Sequence, residues 1–377
     1  SRYFQHDASF LHFQNRIMEV VFIARSTLYT VKGGDTFQVL QTARHLEELG
    51  IRVDIRLTHE KIDYAQYDLL HFFNIIRPAD MLYHIRKSGK PFVVSTLLID
   101  YSGYDKQHRG GISGLVCKLL SADAIEYLKT MGRYLQGRDK LISKAYLWKG
   151  QQRSVREILD RAALVFSGSV MEYKRLVQQY HCSIGCIPVP NGADAEIFSF
   201  DDSQEKDDKL VICVARIEGI KNQLNLIKAL NNTSYKLLII GDHAPGHSAY
   251  YHQCRKIAAS NIQFIDYTPQ EELVKYYQMA KVHILPSWFE TCGLSSLEAG
   301  AMGCNIVITD KGYTREYYGD HAFYCDPSSP ESIFRAVDQA ARSHFRPGLR
   351  EKILTDYTWN RAAACIARAY DQILEVL

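Results

Sequence analysis

The chain has 377 residues, enough for two ordinary domains, and 46% of them are hydrophobic and 23% charged, as in globular proteins. This composition excludes a disordered chain, a collagen-like repeat and a coiled coil. The 45 basic and 42 acidic residues give a formal net charge of +3, which is too balanced for a protein that binds nucleic acid along its whole length.

The nine cysteines include no Cys-x-x-Cys pair. We therefore expect free thiols in a reducing compartment rather than a disulfide framework. The sequence shows no signal peptide, and no apolar run approaches the roughly 18 residues that a membrane-spanning helix needs. These features predict a cytoplasmic location, and they leave open a peripheral position on the inner face of a membrane.

The first half of the chain alternates between predicted strands and helices. Short apolar or alternating segments predict five strands, at 19–24, 51–55, 68–73, 91–96 and 162–167. Apolar residues at helical spacing follow Gly33 and Gly34, and Gly50 marks the end of that helix. Repeated strand, helix and strand is typical of a parallel sheet with helices on both faces.

The same pattern begins again near residue 209. Five more strands are predicted, at 210–215, 236–240, 262–264, 282–285 and 305–309. The segment 199–208 is acidic and polar, as expected of a linker. We therefore predict an α/β fold with two doubly wound, Rossmann-like domains, over 18–198 and 199–358, and a final helix over 359–377.

Residues 101–161 interrupt the first domain. They contain 12 basic and 6 acidic residues, a local net charge of +6, and apolar residues at helical spacing with aromatic residues between them. A basic amphipathic segment of this kind can lie on an anionic membrane. The alternative is a helical hairpin packed on the sheet with its charges in solvent, and we favour it because basic faces are common on helices.

Two glutamates and a glycine indicate a binding site in the second domain. The predicted strand at 282–285 is followed by a loop with Glu290, a turn at Gly293 and a helix whose second turn carries Glu298. Backbone N–H groups at a helix N-terminus bind phosphate, and a carboxylate can accept hydrogen bonds from two sugar hydroxyls. This arrangement predicts a sugar-phosphate site at the carboxyl ends of parallel strands.

Four segments in this order resemble the group 1, or family 4, retaining glycosyltransferases of the GT-B fold. They are Gly33-Gly34 before a helix, Pro190-Asn191-Gly192-Ala193-Asp194, Arg216-x4-Lys221-Asn222 after a strand, and Glu290-x7-Glu298. The likeness covers nearly the whole chain from Met18. It implies two domains facing a cleft, with the final helix packed back on the first domain.

The resemblance also implies a function. A retaining enzyme of this kind moves a sugar from a nucleotide-diphosphate sugar to an acceptor, here a glycan or a lipid-linked sugar in cell-surface polysaccharide biosynthesis. The implied catalytic residues are Glu290, Arg216, Lys221 and Asp100. The implied donor-binding residues are Gly33, Gly34, Gly293, Leu294 and Glu298. Glu298 would bind the ribose and Glu290 the donor sugar, while Arg216 and Lys221 would stabilise the negative charge that bond cleavage leaves on the diphosphate.

Some positions depart from the family pattern. No histidine follows the strand at 91–96, and Asp100 is the nearest polar residue that could replace it. A turn-capping role for Asp100 is an equal alternative. We interpret His71 as a core histidine and Asn191-Gly192 as a structural turn.

Two alternatives to sugar transfer remain open at this point. One is a non-catalytic subunit that binds a nucleotide sugar, and the other is a nucleotide-sugar epimerase of the same fold. The resemblance implies no metal or other cofactor, since Arg and Lys would hold the leaving group. His243 and His247 are four residues apart but flank Pro245 and Gly246, so we interpret them as loop residues rather than metal ligands.

Overall fold

Two parallel β-sheets of six strands each organise the chain in the computed structural model. The structure describes residues 17–100, 104, 120–137, 139–244 and 246–376. Most of the predicted insertion before residue 120 therefore lies outside the described residues. Within them, the predicted α/β fold with two doubly wound domains is confirmed.

The N-terminal sheet has the strand order β2-β1-β3-β4-β5-β6. Its strands are β1 (Glu19–Ala24), β2 (Arg52–Leu57), β3 (Leu69–Phe73), β4 (Phe92–Ser95), β5 (Leu164–Ser167) and β6 (Cys186–Pro188). Its helices are α1 (Gly34–Glu48), α2 (Leu82–Ser88), α3 (Ala122–Leu135), α4 (Tyr146–Arg161) and α5 (Val170–Tyr180). Strands β3 and β4 are buried throughout, as expected for a parallel sheet covered on both faces.

The C-terminal sheet has the order β12-β11-β10-β7-β8-β9. Its strands are β7 (Asp207–Val214), β8 (Lys236–Ile240), β9 (Ile262–Ile265), β10 (Ala280–Leu285), β11 (Asn305–Thr309) and β12 (Phe323–Cys325). The remaining helices are α6 (Gln223–Leu230), α7 (Ser248–Ile257), α8 (Gln270–Met279), α9 (Leu294–Ala301), α10 (Thr314–Tyr318), α11 (Pro330–Arg342), α12 (Pro347–Asp356) and α13 (Trp359–Val376). Strand β7 begins inside the segment 199–208 that was predicted as a linker. Its first three residues are exposed, which is why they resemble a linker in sequence.

Only part of the predicted insertion is an addition to the doubly wound pattern. Helix α4 is the ordinary crossover between β4 and β5, and its Val155, Ile158 and Leu159 are buried in the core. Helix α3 packs against α4, where the Tyr127 hydroxyl donates a hydrogen bond of 2.8 Å to the Leu147 carbonyl. In the part of the chain that the structure describes, no helix is long and apolar enough to cross a membrane.

The final helix α13 belongs to the core of the first domain. It packs on α1, with Trp359 and Tyr370 buried. The Tyr370 hydroxyl lies 2.5 Å from Nδ1 of His71, whose Nε2 lies 2.8 Å from the Ser95 hydroxyl. Burial lowers the pKa of His71 to about 3, so this histidine is a neutral core residue.

The chain crosses between the domains twice, and the two crossings lie side by side. The Ala193 N–H donates a hydrogen bond of 2.9 Å to the Tyr357 carbonyl, and Ala193 pairs with Thr358 in a parallel bridge. A Cβ atom on Gly192 would lie 2.4 Å from the carbonyl carbon of Thr358. Glycine is therefore required there for close passage of the two backbones.

Candidate functional site

Lys221 and Glu290 form a buried ion pair beyond the carboxyl ends of β7 and β10. Lys221 Nζ lies 2.7 Å from Glu290 Oε2, and the Ser287 hydroxyl donates to the same oxygen at 3.0 Å. Burial alone would lower the pKa of Lys221, but the charge and hydrogen bond of Glu290 outweigh it and raise the pKa above its ordinary value. Lys221 is therefore held as a cation.

The backbone at Glu290 is fixed from the neighbouring loop. Its N–H donates to the Lys311 carbonyl at 3.1 Å, and its carbonyl accepts from the Tyr313 N–H at 3.0 Å. Gly312 has a φ of +106°, and a Cβ atom there would lie 2.0 Å from the Glu290 carbonyl oxygen. Gly312 therefore determines where Glu290 sits, a role that the sequence analysis did not assign to it.

Arg216 faces the glycines of the first domain. Its guanidinium donates a hydrogen bond of 2.8 Å to Glu218, and 37% of its side chain is exposed. A Cβ atom on Gly33 would lie 3.6 Å from Arg216 Cζ, and one on Gly34 would lie 3.7 Å from Leu294 Cδ1. The backbone of Gly33 is extended, so its φ does not require glycine, and the tightest contact of an added Cβ atom would be 3.1 Å to Asp35 Oδ1.

Gly293 and Leu294 begin helix α9 at this cleft. Gly293 has a φ of +67°, and a Cβ atom there would lie 3.2 Å from side-chain atoms of Ile308 and Leu285. Both the backbone and the space therefore favour glycine. The Leu294 side chain packs against the cores of both domains, which places the start of α9 at the domain boundary.

Glu298 lies in the second turn of α9, as predicted, and is 7% exposed. Gln270 Nε2 donates to one of its carboxylate oxygens at 2.6 Å, and the Tyr277 hydroxyl donates to the other at 2.9 Å. Burial raises the pKa of Glu298 to about 7, with these two hydrogen bonds acting in the opposite direction. Near pH 7 this side chain exists in both its charged and its neutral form.

Asp100 lies on the N-terminal side of the cleft and forms an ion pair with Arg175 of α5. The Arg175 guanidinium in turn lies 5.4 Å from the ring centroid of Phe289, the residue before Glu290. The structure thus brings Glu290 and Lys221 into direct contact and sets Arg216 against Gly33. Glu298 is held by Gln270 and Tyr277 of its own domain, and Asp100 by Arg175.

One supporting residue was missed by the sequence analysis. Asn222 has a φ of +62°, and its side-chain amide donates to the Pro286 and Pro327 carbonyls at 3.0 and 2.7 Å. It therefore fixes the turn that presents Lys221. The signal was its place directly after Lys221 and before a helix, since asparagine adopts the left-handed conformation more readily than most residues.

Metal ligands do not converge in the described part of the chain, where no group of three or more His, Cys, Asp and Glu side chains could hold an ion. His243 pairs with Ile217 in a parallel bridge, and its ring stacks on Tyr251 with centroids 5.3 Å apart. It is therefore placed by packing beside the end of β7.

Comparison with known proteins finds similar sequences among glycosyltransferases. The family model described as glycosyl transferases group 1 matches residues 194–353. A D-inositol 3-phosphate glycosyltransferase of Corynebacterium aurimucosum is 24% identical over 326 residues, which cover 74% of this chain and 75% of that protein. An uncharacterized glycosyltransferase of Methanocaldococcus jannaschii is 25% identical over 187 residues, 46% of this chain and 47% of that protein, so this match spans about half the length of the relative.

Solved structures share the fold. Sucrose-phosphate synthase from Thermosynechococcus elongatus superposes with a TM-score of 0.71 at 13% identity, over 96% of this chain and 100% of that one. HepE of Anabaena, in complex with UDP and glucose, gives a TM-score of 0.67 at 14% identity, over 94% and 99%. The two domains therefore have the GT-B fold. The resemblance to group 1 glycosyltransferases seen in the sequence is thus matched by the family model over residues 194–353 and by glycosyltransferase relatives at 24% and 25% identity.

Proposed function

We propose that this protein is a retaining glycosyltransferase that moves a sugar from a nucleotide-diphosphate sugar to a glycan or lipid-linked acceptor. The observation that carries the proposal is the Lys221–Glu290 ion pair with Arg216 beside it, open to Gly33 of the other domain. The complex of the fold relative HepE with UDP and glucose supports a nucleotide sugar as the donor.

The two cations supply the charge that the reaction needs. When the bond between the anomeric carbon and the phosphate oxygen breaks, its electron pair passes to the diphosphate. Arg216 can bind that group through two parallel N–H donors. Lys221 provides a point charge, and its ion pair with Glu290 holds it in position. With both cations present, we propose that no metal cofactor is required.

The carboxylates orient the donor. Lys221 and Ser287 both contact Oε2 of Glu290, so we assign Oε1 to the hydroxyls of the donor sugar. Glu298 is assigned to the ribose hydroxyls, with Gln270 yielding its hydrogen bond when the donor enters. The N–H groups at Gly293 and Leu294 lie where a helix N-terminus can meet the phosphates.

The acceptor side is assigned to the first domain, with Asp100 at the cleft. Helices α3 and α4 expose large apolar side chains: Leu128, Leu135 and Trp148 are 50%, 79% and 70% exposed. Together with the net charge of +6 over 101–161, these residues suit a peripheral position on an anionic inner membrane face, where lipid-linked acceptors of surface polysaccharides would be reached. Flotation with anionic liposomes at low and high salt tests this part separately, and protein that stays in solution at low salt would rule it out.

The second candidate function is a non-catalytic subunit that binds the nucleotide sugar. The Asp100–Arg175 ion pair favours it, because it occupies the side chain assigned to replace the family histidine. A direct assay separates the two. The protein is incubated with UDP-, GDP- and ADP-sugars and a panel of glycan and lipid-linked acceptors, and nucleoside diphosphate release is measured.

Acceptor-dependent release that Lys221→Ala abolishes supports transfer. The anomeric configuration of the product, read by NMR, then tests retention. Donor binding without release under any acceptor would favour the subunit, and release without an acceptor would contradict both candidates.

A further inference from the structure

The segment 312–317 connects the donor side of the cleft to the first domain. Tyr313 is 3% exposed, and its N–H donates to the Glu290 carbonyl at 3.0 Å. Its hydroxyl donates to the Leu98 carbonyl of the other domain at 2.9 Å. Its ring meets Phe289 edge-on with centroids 5.4 Å apart. One side chain thus contacts both the Glu290 loop and the loop that leads to Asp100.

The loop at Leu98 is held rigidly on its own side. The Leu98 N–H donates to Glu172 at 2.7 Å, and the Gly168 N–H donates to the other oxygen of the same carboxylate at 3.0 Å. Glu172 is 2% exposed. The Tyr317 hydroxyl then donates to the Gly168 carbonyl at 2.5 Å. A displacement of segment 312–317 would therefore be transmitted to the Leu98 loop through fixed hydrogen bonds.

A second contact from the same segment supports helix α5. The two carboxylate oxygens of Glu316 accept hydrogen bonds from the N–H groups of Val170 and Met171, at 2.7 and 2.9 Å. A carboxylate at this end of a helix is also favoured by the helix dipole. Helix α5 carries Arg175, the partner of Asp100. Segment 312–317 thus supports both residues of the Asp100–Arg175 pair.

We propose that Tyr313 is a positioning residue that sets the distance between Glu290 and the Asp100 loop across the cleft. The inference rests on the proposed function, because it matters only if donor and acceptor meet between these two loops. Transfer requires the reacting atoms to be held near contact distance, so a loosened cleft lowers the rate of the chemical step. Most groups assigned to the donor lie in the second domain and keep their contacts, so donor affinity should change little.

Tyr313→Phe tests this, because it removes the hydroxyl bond to Leu98 and keeps the ring and the backbone bond to Glu290. We expect kcat to fall about fivefold, which corresponds to about 1 kcal/mol for one buried hydrogen bond. Donor Kd, measured by calorimetry, should stay within about twofold, since the substitution leaves the donor groups in place. Tyr324→Phe is the matched control: its hydroxyl donates to the Gly319 carbonyl at 2.7 Å within the second domain, and kcat should not change.

Amide hydrogen exchange keeps the test independent of activity. Exchange across 96–100 should accelerate about fivefold in Tyr313→Phe and not in Tyr324→Phe, since local opening costs less once the cross-domain bond is lost. If the unchanged protein bound no donor, the proposed function would fail while this arm still tested the cross-domain connection. Unchanged exchange and kcat in Tyr313→Phe would overturn the inference, as would a donor Kd that rises with kcat unaltered. Tyr317→Phe, which loses the bond to Gly168, gives a second variant with the same expectation for exchange.

Discussion

Removing either partner of the buried Lys221–Glu290 pair should cost about as much stability as removing both. Glu290→Gln leaves the Lys221 ammonium beside a neutral amide, in a site where the two side chains are only 23% and 8% exposed. Breaking a buried pair from one side typically costs about 3–5 kcal/mol, and the partial exposure of Lys221 places our expectation near about 3 kcal/mol. For a domain of this size, that is a fall in the melting temperature of roughly 6–12 °C. Lys221→Met should cost about as much, because it strands the Glu290 carboxylate.

The double variant Lys221→Met/Glu290→Gln tests whether the stability losses of the two single variants are coupled. Since neither partner is then left charged, its loss of stability should be close to that of one single variant rather than to their sum, giving a coupling of about 3 kcal/mol. Differential scanning calorimetry of the three variants and the unchanged protein measures this. Additive losses, or single losses below about 0.5 kcal/mol, would show that the pair is solvent-screened and would refute the electrostatic account of the site.

The Lys221–Glu290 pair also predicts that the stability of the folded protein falls at alkaline pH. The pKa of Lys221 is raised in the folded protein, so its contribution is fully present below the ordinary lysine value of 10.5 and is lost as pH rises through the folded pKa. The double variant should lack this alkaline loss. A melting curve of the unchanged protein that falls no faster than that of the double variant above this pH would count against the assignment.

Two further substitutions test the neighbouring groups. Glu298 has its pKa raised from 4.5 to about 7, so the folded state holds its proton more tightly and stability should fall by about 3 kcal/mol between those pH values. Glu298→Gln should remove this slope, measured as melting temperature against pH. An unaltered slope would show that another group causes the pH dependence. Gly312→Ala should cost at least about 3 kcal/mol, because the new Cβ meets the Glu290 carbonyl, whereas Gly50→Ala, with φ at +85° and open space, should cost about 1 kcal/mol. Equal losses in urea denaturation would contradict the packing argument at Gly312.

The sheets were predictable because parallel strands buried on both faces read as short apolar runs. Strands β6 and β12 were missed, since three residues at a sheet edge carry too little pattern. The start of β7 was missed for a related reason: its first residues are exposed and acidic, so nothing in their side chains marks them as a strand. In both cases sheet pairing, a long-range property, determines the outcome.

The candidate site likewise has a part that the sequence predicts and a part that only the fold shows. Arg216 and Lys221 lie in one short motif and Glu290 and Glu298 in another, and sequence alone can recognise both motifs. The contact between Lys221 and Glu290 joins residues 69 apart, and the bond between Tyr313 and Leu98 joins residues 215 apart. No local pattern reports such contacts. The partners of Asp100 and Glu298, and the need for glycine at 312, became visible only with the fold.

The central claim is that the cleft binds the diphosphate of a nucleotide sugar through Arg216 and Lys221. Arg216→Ala offers the cleanest test, because this side chain is partly exposed and forms its ion pair with Glu218, two residues away, so the fold should be retained. Titrating UDP-, GDP- and ADP-sugars into both proteins by calorimetry should show one nucleotide that binds the unchanged protein. Arg216→Ala should bind that nucleotide about 10–100-fold more weakly, the effect of losing a charge-assisted hydrogen bond, with its melting temperature unaltered. Equal binding by both proteins, or no binding by the unchanged one, would contradict the account.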